Sequence, residues 1–221
     1  MAIFKLEKIK VNDILAIKDM EIGTNKVTCI TGQSGSGKST LLRLLNRLDD
    51  PDEGKIYFDQ KPIHAINPLL LRSQVVMVPQ TPVIFDGTIR DNLQIGCTFS
   101  RIKPVDDQRL KKTLEKLNLD KELDQDAEDL SGGEKQRVAL GRVMLMESAV
   151  AYLLDEPSSA LDDTTAEEVI GGFIQNASEN ERSVIMVSHD KNLVGQFADE
   201  TINMDDYSLA IHSKKGDSHE S

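Results

Sequence analysis

The sequence predicts an α/β fold with a mostly parallel sheet covered on both faces, an antiparallel β subdomain beside it and an inserted helical subdomain. Three observations carry that expectation. Residues 32–39 read Gly-Gln-Ser-Gly-Ser-Gly-Lys-Ser, a phosphate-gripping loop between an apolar β-branched run and a leucine-rich helical run. Short apolar strands alternate with helical segments along the chain, the pattern of βαβ units. From Asp86 to about Met146 strand signals fade and helical ones take over.

Residues 3–11 alternate apolar and charged side chains, as in Phe4-Lys5-Leu6-Glu7, the period of a half-exposed strand. Residues 14–22 repeat the pattern after a turn at Asn12-Asp13, so the two should pair antiparallel. Residues 26–31 form a short β-branched strand ending at the glycine loop, and 40–48 carry leucines at 41, 42, 44, 45 and 48, a helix buried along a broad stripe. Residues 51–54 read as a turn, 55–58 as a short strand and 74–78 as an apolar strand stopped by Pro79-Gln80. The helical subdomain, at about 86–146, is clearest at 108–117 and 134–146. Residues 149–154 are a buried strand running into Asp155-Glu156-Pro157. Residues 162–177 form a helix whose acidic first turn suits the positive end of its dipole. A further buried strand spans 183–187 and ends at Ser188-His189-Asp190. Residues 200–204 and 207–212 are expected to finish as a hairpin, with a frayed polar tail at 213–221.

At 221 residues the chain can bury roughly 70–75% of its unfolded surface and is expected to be one domain, 1–221, with a sub-lobe. Its longest apolar run, the six residues 149–154, falls far short of the ~20 needed to cross a bilayer. The N-terminus alternates Lys with apolar residues and has no signal-peptide core. No direct membrane insertion is expected, so a role at a membrane would need another chain as anchor. The formal charge of −11 argues against nucleic acid, whose binding runs on phosphate neutralisation by Lys and Arg. It does not exclude a nucleotide, because screening over about 8 Å leaves the local donors at Lys38 to decide. Cys29 and Cys97 are too few for a disulfide framework or zinc site and are expected to be reduced, packed thiols of a cytoplasmic protein.

Gly32, Gly35 and Gly37 let the backbone wrap phosphate oxygens, while Gln33, Ser34, Ser36 and Thr40 complete the loop and the start of its helix. Lys38 places a point charge near the β- and γ-phosphates, and Ser39 can ligate Mg²⁺. A chance match to four fixed positions would arise about one time in a hundred chains of this length. An apolar strand delivers Asp155 to its carboxyl end, where it would hold Mg²⁺ mainly through water. Glu156 beside it is the candidate to polarise an attacking water. Residues 130–136 read Leu-Ser-Gly-Gly-Glu-Lys-Gln. Ser131 and Glu134 fit a capping box, but the adjacent Gly132 and Gly133 weaken a helix start unless the backbone must approach something. A γ-phosphate is the obvious candidate.

At these residues the chain resembles the ATP-binding cassette (ABC) ATPases, a branch of the P-loop NTPases, over nearly its whole length. Residues 32–39 resemble that family's Walker A motif, Gln80 its Q-loop, 130–136 its signature, 151–156 its Walker B, 159–162 its D-loop and His189 its switch histidine. The resemblance implies an ATP- and Mg²⁺-dependent ATPase that works as a nucleotide-sandwich dimer. Each ATP would lie between Walker A of one copy and Ser131 with Gly133 of the other. His189 would contact the γ-phosphate, Gln80 would sense Mg²⁺ and the water, and Asp162 would serve either the dimer or the start of its own helix. The family places an aromatic ring on an early strand against adenine. Residues 9–13 have none, which leaves Val11 as an aliphatic face. Stacking on an aromatic is worth roughly 1–3 kcal/mol per base, so weaker base discrimination is expected, not lost binding.

The resemblance further implies the cytoplasmic ATPase subunit of a transporter, held on the inner face of the membrane by a separate permease that residues 79–93 would meet. The signature and the compact length are similar to small bacterial subunits paired with iron- or metal-efflux permeases. The alternative is a soluble, non-transport ABC ATPase acting as a mechanochemical switch. Such proteins usually carry a coiled-coil insertion or a second cassette, and the sequence shows neither.

Overall fold

Alternation sets the first sheet. In the computed structural model, which describes residues 1–100 and 103–209, β1 (Ala2–Val11) and β2 (Leu15–Gly23) pair antiparallel with Val11 opposite Leu15. Phe4, Leu6, Ile9, Ile17 and Ile22 are buried on the inner face, while Lys8, Lys10 and Asp19 stay in solvent. β4 (Glu53–Phe58) joins the other edge of β1, and β5 (Lys61–Pro62) extends it, giving the order β2-β1-β4-β5. Glu53 and Gly54, expected in a turn, belong to β4 instead. The register with β1 shifts between Glu7 and Lys10 there, and Gly54 takes a φ of 99°.

The second sheet has the order β6-β7-β8-β3-β9, and every pairing in it is parallel. Its strands are β3 (Val27–Thr31), β6 (Val75–Val78), β7 (Ala151–Asp155), β8 (Ser183–Val187) and β9 (Glu200–Asn203). β7 and β8 are buried at every position, as strands covered on both faces must be. Alternate residues feed two cores. Ile30, Leu153 and Ile185 pack with the antiparallel sheet and with Leu41 and Leu45 of α1 (Lys38–Leu45). Cys29, Tyr152, Leu154 and Met186 face the opposite way, towards Ala139 and Val143 of α5 (Gly132–Met144) and Val169 and Phe173 of α6 (Asp163–Glu179).

Between β6 and β7 lie α3 (Ile89–Ser100), α4 (Asp107–Lys116) and α5, around a third apolar cluster that includes Ile89, Leu93, Leu110, Leu114 and Val138. A polar node ties these helices to the segment that follows Gln80. Arg142 on α5 donates to Asn92 O (2.9 Å), Asn92 Oδ1 (3.0 Å) and Val83 O (2.9 Å), with its guanidinium 4.9 Å from the Phe85 ring centroid. Asn92, fully buried, brackets Phe85 by accepting its amide and donating to its carbonyl. Burial pushes the Arg142 guanidinium down to about 10, leaving it charged at neutral pH.

Two short helices carry no sequence periodicity and were not expected: α2 (Pro68–Gln74), capped by Asn67 with proline in its first turn, and α7 (Lys191–Phe197), capped by Asp190. The expected C-terminal hairpin does not form. β9 instead pairs parallel with β3 at the sheet edge, a 3-10 turn follows at Met204–Asp206, and the chain crosses to the antiparallel sheet. There Ala16 donates to Tyr207 O, Leu209 donates to Ile14 O, and Leu15 bridges Ser208. Alternation at 200–204 correctly indicates a strand but carries no information about its partner. Residues 210–212 of the expected hairpin and the tail at 213–221 lie outside the described residues. No helix among the described residues is long and apolar enough to cross a membrane.

Both cysteines are buried and unpaired. Burial, with a smaller contribution from Asp199, pushes the Cys29 thiol up to about 11, and burial raises Cys97 as well. The thiolate is the reactive form, so a chromogenic disulfide reagent at pH 8 should label neither cysteine in the folded protein and both after denaturation; rapid native labelling of Cys29 would contradict this packing.

Candidate functional site

β3 ends at Thr31 and the chain turns through residues 32–37 into α1. Gly37, the residue before α1, has a φ of 92°, and a Cβ there would overlap Leu15 Cδ2, so only glycine fits between loop and β2. α1 starts without a side-chain cap and without an acidic residue in its first turn. Its first amides thus carry the partial positive charge of a helix N-terminus uncompensated. Lys38, 7% exposed, folds back to donate to the carbonyls of Gly32 (2.9 Å) and Gln33 (2.8 Å). Burial lowers its pKa, against the opposing pull of Glu156, Asp205 and Asp155.

Ser36 Oγ is buried with no hydrogen-bond partner among the described residues, and nothing stands within 4 Å of a Cβ position on Gly35. Uncompensated amides, an orphaned hydroxyl, a lysine and an open glycine together fit a polyphosphate. Asp155, at the end of β7, has its pKa raised by burial and lowered in turn by a hydrogen bond with Ser39. No cluster of three His, Cys, Asp or Glu suited to a metal occurs among the described residues. A cation beside Ser39 and Asp155 would take its other ligands from phosphate and water, as Mg²⁺ commonly does.

Glu156 follows Asp155 with a φ of 49°, a left-handed conformation that costs a non-glycine residue of order 1 kcal/mol or more. Its amide donates to Val187 O (3.1 Å), which holds the turn against β8. Its carboxylate is gripped at both oxygens: Gln80 Nε2 donates to Oε2 (2.9 Å), and His189 Nε2 stands 3.3 Å from Oε1. These residues and the loop line one recess of about 580 Å³, with Ile14, Ser34, Gly35, Gly37, Lys38, Ser39, Thr40, Gln80, Glu156 and His189 on its walls. That is ample for a small ligand.

The expected second half of the site stands elsewhere. Ser131 caps α5: its Oγ accepts from the Glu134 amide (3.4 Å), and its own amide donates to Glu134 Oε2 (2.8 Å). Lys121 pairs with Glu134 at 3.0 Å. Neither Ser131, Gly132 nor Gly133 lines the recess. The two glycines differ. A Cβ on Gly133 would press on Ala160 O (2.9 Å) and Leu161 Cδ2 (3.0 Å), so its small size has an internal reason. Gly132 is exposed and a Cβ there would meet nothing within 4 Å, so nothing inside the chain explains it. Asp162 caps α6 by accepting from the Thr165 amide at 3.0 Å.

Val11, expected to offer its side chain to a base, is 7% exposed within the apolar core, because a break in alternation at Lys8 (φ 52°) switches the inward parity from Phe4 and Leu6 to Ile9 and Val11; Ile14, in the β1–β2 turn, is the aliphatic side chain on the recess wall. Asp205 was also missed. Its carboxylate accepts the amide of Gln33 at 2.8 Å across a separation of 172 residues, and nothing local in the sequence marks that contact.

A phosphate loop opening a helix, with an Asp-Glu pair and a histidine at the carboxyl ends of neighbouring parallel strands, defines a P-loop nucleoside-triphosphate-binding protein. The model of the family described as "ABC transporter" matches residues 15–159. The chain belongs to that family, whose ATPase domains bind ATP and are generally ATP hydrolases. It is similar to Protein STAR1 of Oryza sativa subsp. japonica, 37% identical over 188 residues, covering 85% of this chain and 54% of that protein, so it spans about half of that relative's length. Among solved structures it is similar to CbiO1 of Clostridium perfringens, described as part of the transporter complex CbiONQ (TM-score 0.81, 28% identity, 94% of this chain and 85% of that one). It is also similar to the ATP-binding cassette MJ0796, solved as a dimer in a post-hydrolysis state with ADP and Pi (TM-score 0.78, 26% identity, 90% and 93%).

Glu134 gives the Ser131 turn a measurable stability. The Ser131 amide first, and Lys121 second, hold its carboxyl down at about 2. A depressed folded-state pKa stabilises above the unfolded value, near 4.5, and that contribution disappears as pH falls towards 2. Glu134→Ala is expected to cost about 1 kcal/mol at pH 7 and progressively less below pH 4.5 in denaturant titrations; an equal cost at pH 7 and pH 3 would refute the capping account.

Proposed function

We propose that this chain is the ATP-binding and ATP-hydrolysing subunit of an ABC transporter, driving transport through a separate membrane permease by nucleotide-dependent dimerisation. The observation that carries the proposal is the division of the site. Glu156, Gln80 and His189 converge on the phosphate loop in one recess, while the Ser131 turn lies outside it with Gly132 open to whatever approaches.

On this reading the loop amides of residues 34, 35 and 37–40, with the Lys38 ammonium, receive the phosphates of ATP. Lys38 keeps its loop carbonyls and turns its third N–H to phosphate oxygen, so the ammonium is satisfied throughout. Ser39, Asp155 and Gln80 supply oxygens for Mg²⁺, which would neutralise charge on the β- and γ-phosphates. Gln80 Nε2 meanwhile donates to Glu156 Oε2, and release of that bond would free the carboxylate to accept a proton from the attacking water. His189, next to the other carboxylate oxygen, keeps Glu156 aimed and reaches the γ-phosphate. A second copy contributes Ser131, Gly132 and Gly133 to the far side of the γ-phosphate, with Asp162 at the seam. The dimeric state of MJ0796 and the membership of CbiO1 in a transporter complex support this assembly. Val83, 54% exposed three residues beyond Gln80, belongs to the segment offered to a permease, which would hold the chain on the cytoplasmic face of the membrane.

Glu156→Gln should lower ATP turnover by at least about 100-fold while leaving ATP binding intact, and gel filtration with MgATP should show a trapped dimer; a monomer under those conditions would sink the sandwich assembly. Placed on that background, Gly132→Ala separates folding from assembly. Alanine at an open helix start raises helix propensity by up to about 1 kcal/mol, so the melting temperature should hold or rise while the ATP-trapped dimer weakens. A dimer of unchanged strength would remove the turn from the ATP interface.

A further inference from the structure

We propose that Asp205 is a positioning residue for nucleotide binding, holding the Gly32–Gln33 peptide in the orientation that aims Lys38. The inference rests on the phosphate loop receiving ATP, as proposed above. A trans peptide is planar, with its N–H and C=O directed to opposite sides. Here both ends of one peptide are engaged: the Gln33 N–H donates to Asp205 Oδ1 (2.8 Å), and the Gly32 carbonyl accepts from Lys38 Nζ (2.9 Å). If the peptide rotated, the lysine would lose one of its two carbonyl anchors and swing from the position from which it meets phosphate.

The contact is close enough to dictate the sequence. A Cβ at Gly32, whose φ is 133°, would fall 2.9 Å from Asp205 Oδ1 and 3.3 Å from its amide nitrogen. Asp205 is itself fixed, because its amide donates to Asn203 Oδ1 at 3.1 Å within the Met204–Asp206 turn. The chain then continues to the other end of the same loop. Tyr207 accepts from the Ala16 amide and Leu209 donates to Ile14, which seats Leu15 against Gly37. One short segment after β9 therefore braces the loop at both ends. A carboxylate beside an anion site carries an electrostatic penalty, and its pull on the Lys38 ammonium is one of three, so the hydrogen bond to Gln33 is what sets this one apart.

Charge and geometry are separable by substitution. Asp205→Ala removes the acceptor, whereas Asp205→Asn keeps an oxygen for the Gln33 amide and loses the charge. Loss of a backbone hydrogen bond should raise the MgATP Kd and the KM for ATP of Asp205→Ala roughly 3- to 12-fold, with kcat at saturating ATP within about twofold of wild type. Asp205→Asn should lie within about twofold of wild type in all three. Melting temperatures without nucleotide serve as the control for folding. The proposal is overturned if Asp205→Ala binds MgATP like wild type while only its melting temperature falls, or if the asparagine variant is as impaired as the alanine variant. Failure of the wild-type protein to bind MgATP would overturn the underlying reading instead, so the two failures are distinct.

Discussion

A lysine ammonium taken out of water has to be hydrogen-bonded, and Lys38 finds its partners in the carbonyls of its own loop at Gly32 and Gln33. The rest of the site follows from that need. The loop must curl far enough for its carbonyls to face its own lysine, which requires left-handed backbone at Gly32, Gly35 and Gly37. Curled this way, it directs the amides at the start of α1 outward with neither cap nor counter-charge. Burial lowers the Lys38 pKa, and three carboxylates, at Glu156, Asp205 and Asp155, oppose that pull. The loop is therefore shaped before any phosphate arrives, and binding adds a phosphate oxygen to the lysine's partners without reorganising the backbone.

The same economy holds at Glu156. Its left-handed backbone is an unfavourable conformation, and two side chains from separate elements hold its carboxylate in place. Gln80 follows β6, Glu156 follows β7 and His189 follows β8, three strands adjacent in the parallel sheet. Parallel pairing aligns their carboxyl ends, so residues far apart in sequence meet because the register of the sheet leaves them no other place. Among the side chains lining the recess, this left-handed backbone falls on the residue proposed above to polarise the attacking water.

That register also explains what could be read in advance. The strand at 183–187 was legible end to end, because a continuous apolar run between polar turns has one interpretation in a covered parallel sheet. The loop, the Asp155-Glu156 pair and His189 were legible because each sits directly after such a strand. The seven-residue helices α2 and α7 were not, being too short for periodicity to emerge. Val11 was placed on the early strand by resemblance, but the irregularity at Lys8 turns it into the core and leaves the neighbouring turn, with Ile14, at the recess. Asp205 and the crossing of residues 207–209 to the antiparallel sheet depend on tertiary contacts alone.

Gln80 also connects the two halves of the divided site. Three residues after it, the Val83 carbonyl is bonded by Arg142, and two further on Phe85 is bracketed by Asn92. Arg142 belongs to α5, the helix that begins at the Ser131 turn. Displacing Val83 and Phe85 while holding α5 still would strain several hydrogen bonds, and each buried donor or acceptor left unsatisfied costs about 1–3 kcal/mol. Carrying α5 along as a rigid body leaves that node intact. Val83 and Phe85 are thus tied to α5 as one body, and the residues from Gln80 to Val83 are the covalent link between that body and Glu156.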